Sequence, residues 1–153
     1  MEFFDTSFLG NEELYLRLER TATEDKSRGW LPAYYFSICL HDDTKVGSCD
    51  LRIGHNKNIY YGGNIGYQVD AEYRGHHYAG KACGLLFELA RLHDLDHLII
   101  TCNPDNFPSR RTCEYAGGVL EGIVDLPKEN EMYLEGERQK CIYRFDISDK
   151  REE

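Results

Sequence analysis

The sequence predicts one mixed α/β domain of about seven strands, with helices on both faces of the sheet. Its 153 residues lie in the commonest size range for a single domain. Several short segments alternate apolar and polar residues, which is typical of strands, and two longer ones place apolar residues at helical spacing. No internal repeat or linker separates them, so we expect a single domain over residues 1–153.

The N-terminal half supplies the first strands. Residues 13–20 alternate leucines with polar residues, which predicts a strand with one buried face. Residues 33–40 and 46–53 are apolar segments joined by a polar turn, and they are expected to form a hairpin. Residues 64–69 predict a fourth strand, in which Gly66 indicates a bulge or the close approach of another group.

The second half carries the helices. Residues 77–92 form the longest amphipathic segment and predict a helix. A second helix begins after the turn 103–106 and ends at Gly117-Gly118, where glycine can adopt the left-handed conformation. The remaining predicted segments are the apolar central strand 97–102, the strand 119–126, the polar connection 128–138 and the strand 141–146.

Composition narrows the classes of function. The net charge of −9 argues against nucleic acid as a partner. An acidic balance is an ordinary aid to solubility, although it also suits a cationic acceptor. No apolar run approaches the roughly 20 residues of a membrane span, and the start, residues 1–5, is too acidic for a signal peptide. We therefore expect a cytoplasmic protein without a membrane partner.

Neither a disulfide framework nor a metal site is predicted. The six cysteines never form a C-x-x-C pair and fall in apolar stretches, which favours reduced, buried thiols. His93 and His97 are four apart, but the chain passes from a helix end to a strand between them. No acidic third ligand stands at a suitable spacing.

The segment with the clearest chemistry is the strand, turn and helix from Ile65 to Ala82. Small residues at Gly75, Ala79 and Gly80 lie where the helix begins. Unpaired backbone N–H groups and the helix dipole at such a position suit a phosphate or pyrophosphate. A plain structural turn is the alternative.

Two motifs resemble those of the GCN5-related N-acetyltransferase (GNAT) family. The first, after the strand ending Gly66-Tyr67-Gln68-Val69, is Tyr73-Arg74-Gly75-His76-His77-Tyr78-Ala79, similar to the family's coenzyme A loop. The second is Asn103-Pro104-Asp105-Asn106, then Ser109, Glu114 and Gly117-Gly118. The likeness covers about residues 62–126, and the first 60 residues match only in strand order.

This resemblance implies acetyl-CoA as cosubstrate. The pantetheine arm would extend the sheet along Gln68 and Val69, between splayed fourth and fifth strands. The Val69 N–H would polarise the thioester carbonyl. The expected cofactor-binding residues are Gln68, Val69, Arg74, Gly75, His76, His77, Tyr78, Ala79, Gly80, Lys81, Asn103, Asn106 and Ser109.

The sequence departs from the family pattern at two positions. His77 stands where the family usually has a loop glycine. Cys113 stands where many relatives carry a tyrosine that protonates the coenzyme A sulfur. Tyr115 is nearby, but lies about 200° further around a helix. Cys113 and Tyr115 are therefore the candidates for the general acid.

The acceptor site is expected beside a shortened connection. Many relatives place two helices between their first and second strands, whereas residues 21–32 fill that gap here. The cleft is then either more open or closed by a second subunit of a homodimer. Asp50 is the candidate base, and Trp30, Arg52 and Tyr67 are candidate acceptor contacts. The alternatives are a surface ion pair of Asp50 with Arg52 and ordinary packing of the aromatic rings.

The resulting hypothesis is an N-acetyltransferase in which an amine acceptor attacks acetyl-CoA directly. The acceptor is a small molecule or a peptide. The rival hypothesis is a non-catalytic module that binds acyl-CoA as a sensor.

Overall fold

A computed structural model of the chain describes residues 1–148, and its strands form two antiparallel sheets. The strands are β1 (Leu14–Ala22), β2 (Ala33–Leu40), β3 (Lys45–Arg52), β4 (Ile65–Val69), β5 (His97–Cys102), β6 (Val119–Asp125) and β7 (Gln139–Asp146). The first sheet has the order β1-β2-β3-β4 and the second β5-β7-β6. The α/β class, the seven strands and the hairpin of β2 and β3 are confirmed.

Four α-helices connect these strands: α1 (Lys57–Gly62), α2 (Tyr78–Leu92), α3 (Phe107–Tyr115) and α4 (Glu131–Leu134). The sequence predicted α2 and α3 but neither α1 nor α4. Both missed helices are too short to show a helical period, and each depends on a capping asparagine. Asn56 accepts from the Ile59 N–H at 2.9 Å and Asn130 from the Met132 N–H at 2.8 Å. Within residues 1–148, no helix has the length and apolarity to cross a membrane.

The main core lies under α2. This helix packs against β1, β3 and β4 and buries an apolar face that includes Ala82, Cys83, Leu86, Leu89 and Ala90. These positions follow the helical spacing seen in the sequence. All six cysteines are free and buried, as predicted.

The connection between β1 and β2 is short, as expected. Residues 23–32 form no helix; they contain one isolated β-bridge, between Asp25 and Trp30, and the Asn56 Nδ2 donates to the Gly29 carbonyl oxygen at 2.9 Å. The β1 strand extends to Ala22, beyond its predicted end at residue 20, through a register shift between Leu18 and Arg20. The end of β1 thus places Arg20 and Ala22 at the edge of a cleft described below.

Asn64 joins the two sheets. Its side-chain Nδ2 donates to the carbonyl oxygens of Arg52 (3.0 Å) and Gly54 (2.8 Å). Its Oδ1 accepts from the Ile99 N–H at 2.9 Å, and its own N–H donates to the Ile99 carbonyl oxygen at 2.7 Å. The side chain is fully buried, so it substitutes for water at three backbone groups around the junction, and the Asn64 N–H makes the fourth hydrogen bond.

Beyond Asn64, β4 and β5 share no ladder, and β4 is the edge of its sheet. The Asp70 N–H donates to the Val46 carbonyl oxygen on β3 at 2.9 Å. Because backbone groups of successive strand residues point to opposite edges, the Val69 N–H faces the unpaired edge. The sheets therefore separate where the sequence predicted the splay.

We expect Asn64→Leu to lower the free energy of unfolding by at least about 3 kcal/mol, because it leaves the Ile99 N–H and two carbonyl groups buried without partners. Denaturant unfolding would measure this change. Asn58 is the control, since its exposed amide forms only long hydrogen bonds, at 3.3 and 3.5 Å. Asn58→Leu should change stability by about 0.5 kcal/mol or less. Equal effects of the two substitutions would contradict the role given to Asn64.

Candidate active site

The loop before α2 contains two residues in the left-handed region. Gly75 has φ +95°, and the space around a Cβ at this position is open. His77 has φ +61° at the N-cap of α2, so the family's glycine position keeps a glycine-like backbone. The His77 ring stacks on Tyr115, with centroids 4.1 Å apart and planes 3° apart. This stacking offsets part of the backbone strain and holds the imidazole against α3.

Tyr115 lies over the beginning of α2. A Cβ at Gly80 would overlap the Tyr115 ring, so the missing side chain at Gly80 provides the space that the ring occupies. The ring is half-exposed. Tyr115 thus faces the loop, and Cys113 faces the interior, which agrees with the rotation expected between them.

Three more loop residues hold the loop in place. The Arg74 Nε donates to the Val69 carbonyl oxygen at 3.1 Å and fastens the loop to the end of β4. Lys81 pairs with Glu13. The His76 ring stacks on Tyr78, with centroids 5.1 Å apart. The remaining predicted loop residue, Ala79, lies in the first turn of α2.

Tyr67 bridges the space between β4 and α3. Its hydroxyl lies 2.6 Å from the Ser109 Oγ and 3.8 Å from the Cys113 Sγ. Burial raises the pKa of the Tyr67 hydroxyl, and the nearby Cys113 adds to the rise. Burial also raises the pKa of the Cys113 thiol to about 12. At neutral pH both groups are protonated, but Cys113 is fully buried whereas Tyr67 is only partly so.

The two predicted asparagines use their carbonyl oxygens internally. Asn106 caps α3 by accepting from the Ser109 N–H at 3.2 Å. The Asn103 Oδ1 accepts from the Lys140 Nζ at 2.7 Å, and the same ammonium donates to Glu137 at 2.7 Å. Both asparagines follow the carboxyl end of β5, but only Asn106 contacts the start of α3, whereas Asn103 contacts Lys140 on β7. Lys140 had no signal in the sequence, because it lies between the predicted connection 128–138 and the predicted strand 141–146, whereas in the structure it belongs to β7.

Asp50 is held against Gly66 on the neighbouring strand. Its Oδ1 accepts from the Arg52 Nη1 at 2.6 Å and from the Gly66 N–H at 3.1 Å. A Cβ at Gly66 would lie 3.0 Å from the Asp50 Oδ2, so the carboxylate is the group whose close approach the glycine permits. Burial raises the pKa of the Asp50 carboxyl, and attraction to Arg52 opposes the rise. A carboxylate of this kind is suited to accept a proton.

An open cleft of about 790 Å³ lies beside this pair. Its walls are the end of β1 with the connection to β2, the helix α1, and the segment around α4. Of the predicted acceptor contacts, Trp30 and Arg52 line the cleft, whereas Tyr67 does not. Asp50 does not line the cleft itself, but it forms an ion pair with Arg52, which does. The loop 74–81 lies outside it, so the predicted donor and acceptor residues occupy separate surfaces.

Several lining residues were missed by the sequence analysis: Arg20, Arg28, Lys57, Glu129 and Glu131. Arg20 lies at the end of the predicted first strand, and the other four belong to polar segments without periodicity. Nothing local indicates that residues 20–33 and 127–132 line one cleft. His93 and His97 lie on different elements, as expected. In the part of the chain that the structure describes, no group of three or more His, Cys, Asp or Glu side chains could hold a metal ion.

Gly80 and Gly84 give a matched test of the Tyr115 packing, because both lie in α2 and a Cβ at Gly84 meets open space. We expect Gly84→Ala to raise the free energy of unfolding by about 0.5–1 kcal/mol through helix propensity. The free energy of unfolding of Gly80→Ala should be lower than that of Gly84→Ala by at least about 1 kcal/mol, because the added methyl group displaces the Tyr115 ring from His77. Thermal unfolding measures both, and equal stabilisation would contradict this packing.

The acetyltransferase (GNAT) domain family matches residues 4–119 of the chain. The Uncharacterized N-acetyltransferase YnaD of Bacillus subtilis strain 168 is 31% identical over 107 residues, which is 65% of this chain and 59% of that protein. The chain thus spans less than two thirds of that relative.

Solved structures show the same fold. The microcin C7 self-immunity acetyltransferase MccE, in complex with acetyl-CoA and AMP, is 25% identical, with a TM-score of 0.59 over 74% of this chain and 61% of that one. A Vibrio cholerae protein assigned as a ribosomal-protein-serine acetyltransferase is 18% identical, with a TM-score of 0.67 over 94% of this chain and 99% of that one. Because the family match covers more than half of the sequence, the chain belongs to the GNAT acetyltransferase family.

Proposed function

We propose that this protein transfers the acetyl group of acetyl-CoA to an amine acceptor by direct attack. The observation that carries the proposal is the position of β4. One end of this strand leads into the loop 74–81, its outer edge is unpaired, and Asp50 beside it connects to the cleft. A donor bound along the edge and an acceptor in the cleft would meet at this strand.

The donor side has the features that coenzyme A requires. Along the unpaired edge, the backbone groups of Tyr67 and Val69 point away from β3 and are available to the amide groups of a pantetheine arm, whereas those of Gln68 face Ser48 on β3. The Val69 N–H points to this edge and is suited to polarise a thioester carbonyl. At the C-terminal end of β4, the start of the 15-residue helix α2 and the open Gly75 suit a pyrophosphate. The acetyl-CoA in the MccE structure supports this donor.

The acceptor side supplies a base. In this proposal Asp50 takes the proton from the attacking amine, directly or through a water molecule, and Arg52 orients the carboxylate. Because burial raises the pKa of the Asp50 carboxyl, this carboxylate is a stronger base than that of an exposed aspartate. The connection 21–32 walls the cleft within one chain, and closure by a second subunit stays a prediction.

The departing thiolate needs a proton, and Tyr67 is the group that we assign to supply it. Its hydroxyl is protonated at neutral pH and lies between β4 and α3. Ser109 and Cys113 hold that hydroxyl and act through it in this proposal. Tyr115 lies over the start of α2, where it would contact the donor rather than the proton path.

Donor binding is tested at Gly75. Acetyl-CoA at about 100 times its Kd should add roughly 2.7 kcal/mol to the stability of the wild type in thermal unfolding. Gly75→Glu should abolish this gain, because the carboxylate repels the pyrophosphate. Gly75→Ala is the control, since it imposes the same left-handed strain without the charge and should keep most of the gain. Equal gains in all three proteins would remove the loop from the donor site.

Turnover is tested at Asp50. We expect Asp50→Asn to lower kcat/KM about 10²–10⁴-fold, as measured by the release of free thiol. In the wild type, kcat/KM should show an additional fall as the pH drops through the raised Asp50 pKa, because the base becomes protonated. The Asn variant should lack that additional fall. Asp94→Asn is the control, at an exposed position with φ +63° that asparagine tolerates. Binding of acetyl-CoA without thiol release for any amine would favour the sensor hypothesis.

A further inference from the structure

The charge of the cleft is opposite to that of the whole chain. The protein carries a net charge of −9, yet the cleft is lined by four basic residues and two acidic ones. The basic residues are Arg20, Arg28, Arg52 and Lys57, and the acidic residues are Glu129 and Glu131. The net charge of the chain suited a cationic acceptor, whereas the excess of basic residues in the cleft attracts an anion.

The charges in the cleft are also distributed unevenly. The two glutamates belong to the segment around α4, and Glu129 lies 3.5 Å from the Lys57 Nζ. Arg52 is engaged by Asp50 at 2.6 Å. On the opposite wall, Arg20 takes part in none of the ion pairs found within residues 1–148. Its positive charge is therefore the least compensated in the cleft.

Two of the arginines are held on aromatic rings. The Arg20 Cζ lies 3.7 Å from the centroid of the Tyr35 ring, and the Arg28 Cζ lies 4.7 Å from that of Trp30. Stacking fixes the position of a guanidinium and leaves its N–H donors available at its edge. Two parallel N–H groups of a guanidinium can donate to two oxygen atoms of a carboxylate or a phosphate. Arg28 also lies 3.6 Å from Asp25, so Arg20 is the stronger candidate.

Trp30 supports binding at this wall. It is 55% exposed, although an indole of this size is usually buried. Trp30 and Tyr35 both line the cleft, each beside an arginine, and aromatic residues and arginine are enriched at binding surfaces.

We propose that the acceptor amine belongs to a molecule that also carries a carboxylate or a phosphate group, which Arg20 and Arg28 bind in this cleft. This inference rests on the proposed function, since it assigns the cleft to the acceptor. The anionic group fixes the acceptor at the β1 end of the cleft. The amine then extends toward Asp50, which lies two strands away in the same cross-strand row, because Tyr35 is paired with Arg20 on one side and with Asp50 on the other.

The test compares matched acceptors that differ only in the anionic group. The probes are the common amino acids as free acids and as amides, and O-phosphoethanolamine against ethanolamine. Trp30 is the only tryptophan of the chain, so its fluorescence reports binding in the cleft directly. Titrations are run with coenzyme A present at saturation, so that the donor site is already occupied.

We expect at least one anionic probe to bind about tenfold or more tightly than its neutral partner, as one charge-assisted contact predicts. The amino acid probes test for a carboxylate, and O-phosphoethanolamine tests for a phosphate. Arg20→Gln should remove this preference and leave the binding of the neutral partner unchanged. Arg17→Gln is the control, because Arg17 lies on the same strand, pairs with Glu19 and does not line the cleft.

The inference is overturned if no probe pair shows the preference, or if Arg17→Gln removes it as effectively as Arg20→Gln. Thiol release, measured in parallel, reports on the proposed function separately. If neutral amines are acetylated at the same rate as anionic ones, the proposed function is supported and the anion site is contradicted. Anion binding that depends on Arg20, without thiol release, would support the site and count against acetyl transfer.

Discussion

The junction at Asn64 is the constraint on which the remaining structure depends. A single buried amide satisfies backbone groups on both sides of the boundary between the sheets, so β4 and β5 remain joined at one end without a ladder. A full ladder would have covered the edge of β4 and left no place for a ligand to add to the sheet. A wider separation would have exposed the core under α2 to water. The buried side chain therefore fixes both the closeness of the sheets and the opening between them.

Around that opening, the polar groups already have protein partners. Asp50 is held by Arg52 and Gly66, and Tyr67 by Ser109. Such contacts keep side chains in position before a ligand arrives, which reduces the reorganisation needed for reaction. The departures from the family pattern fit the same principle. His77 adopts the backbone of the glycine it replaces and is supported by Tyr115.

The two surfaces beside β4 differ in how they are built. The proposed donor side is made largely of backbone: a strand edge, a glycine in the left-handed region and the start of a helix. The proposed acceptor side is made of side chains from three separate segments, with a local charge opposite to the net charge. Backbone sites suit a cosubstrate shared by a whole family, whereas side-chain sites can vary with the acceptor. This contrast explains why the family resemblance predicted the residues of the loop 74–81 in detail and missed most charged residues of the cleft.

The sequence by itself determined what local pattern encodes. Helical spacing predicted α2, alternation and a polar turn predicted the hairpin of β2 and β3, and Gly75 with its neighbours predicted the loop. Tertiary structure decided the rest. The helices α1 and α4 are too short to carry a period. Lys140 can be buried because its ammonium donates hydrogen bonds to Asn103 and Glu137. Arg20 and the segment around α4 line one cleft only after both sheets have formed. The physical reason is range: periodicity acts between residues a few positions apart, whereas the cleft depends on packing between segments about a hundred residues apart.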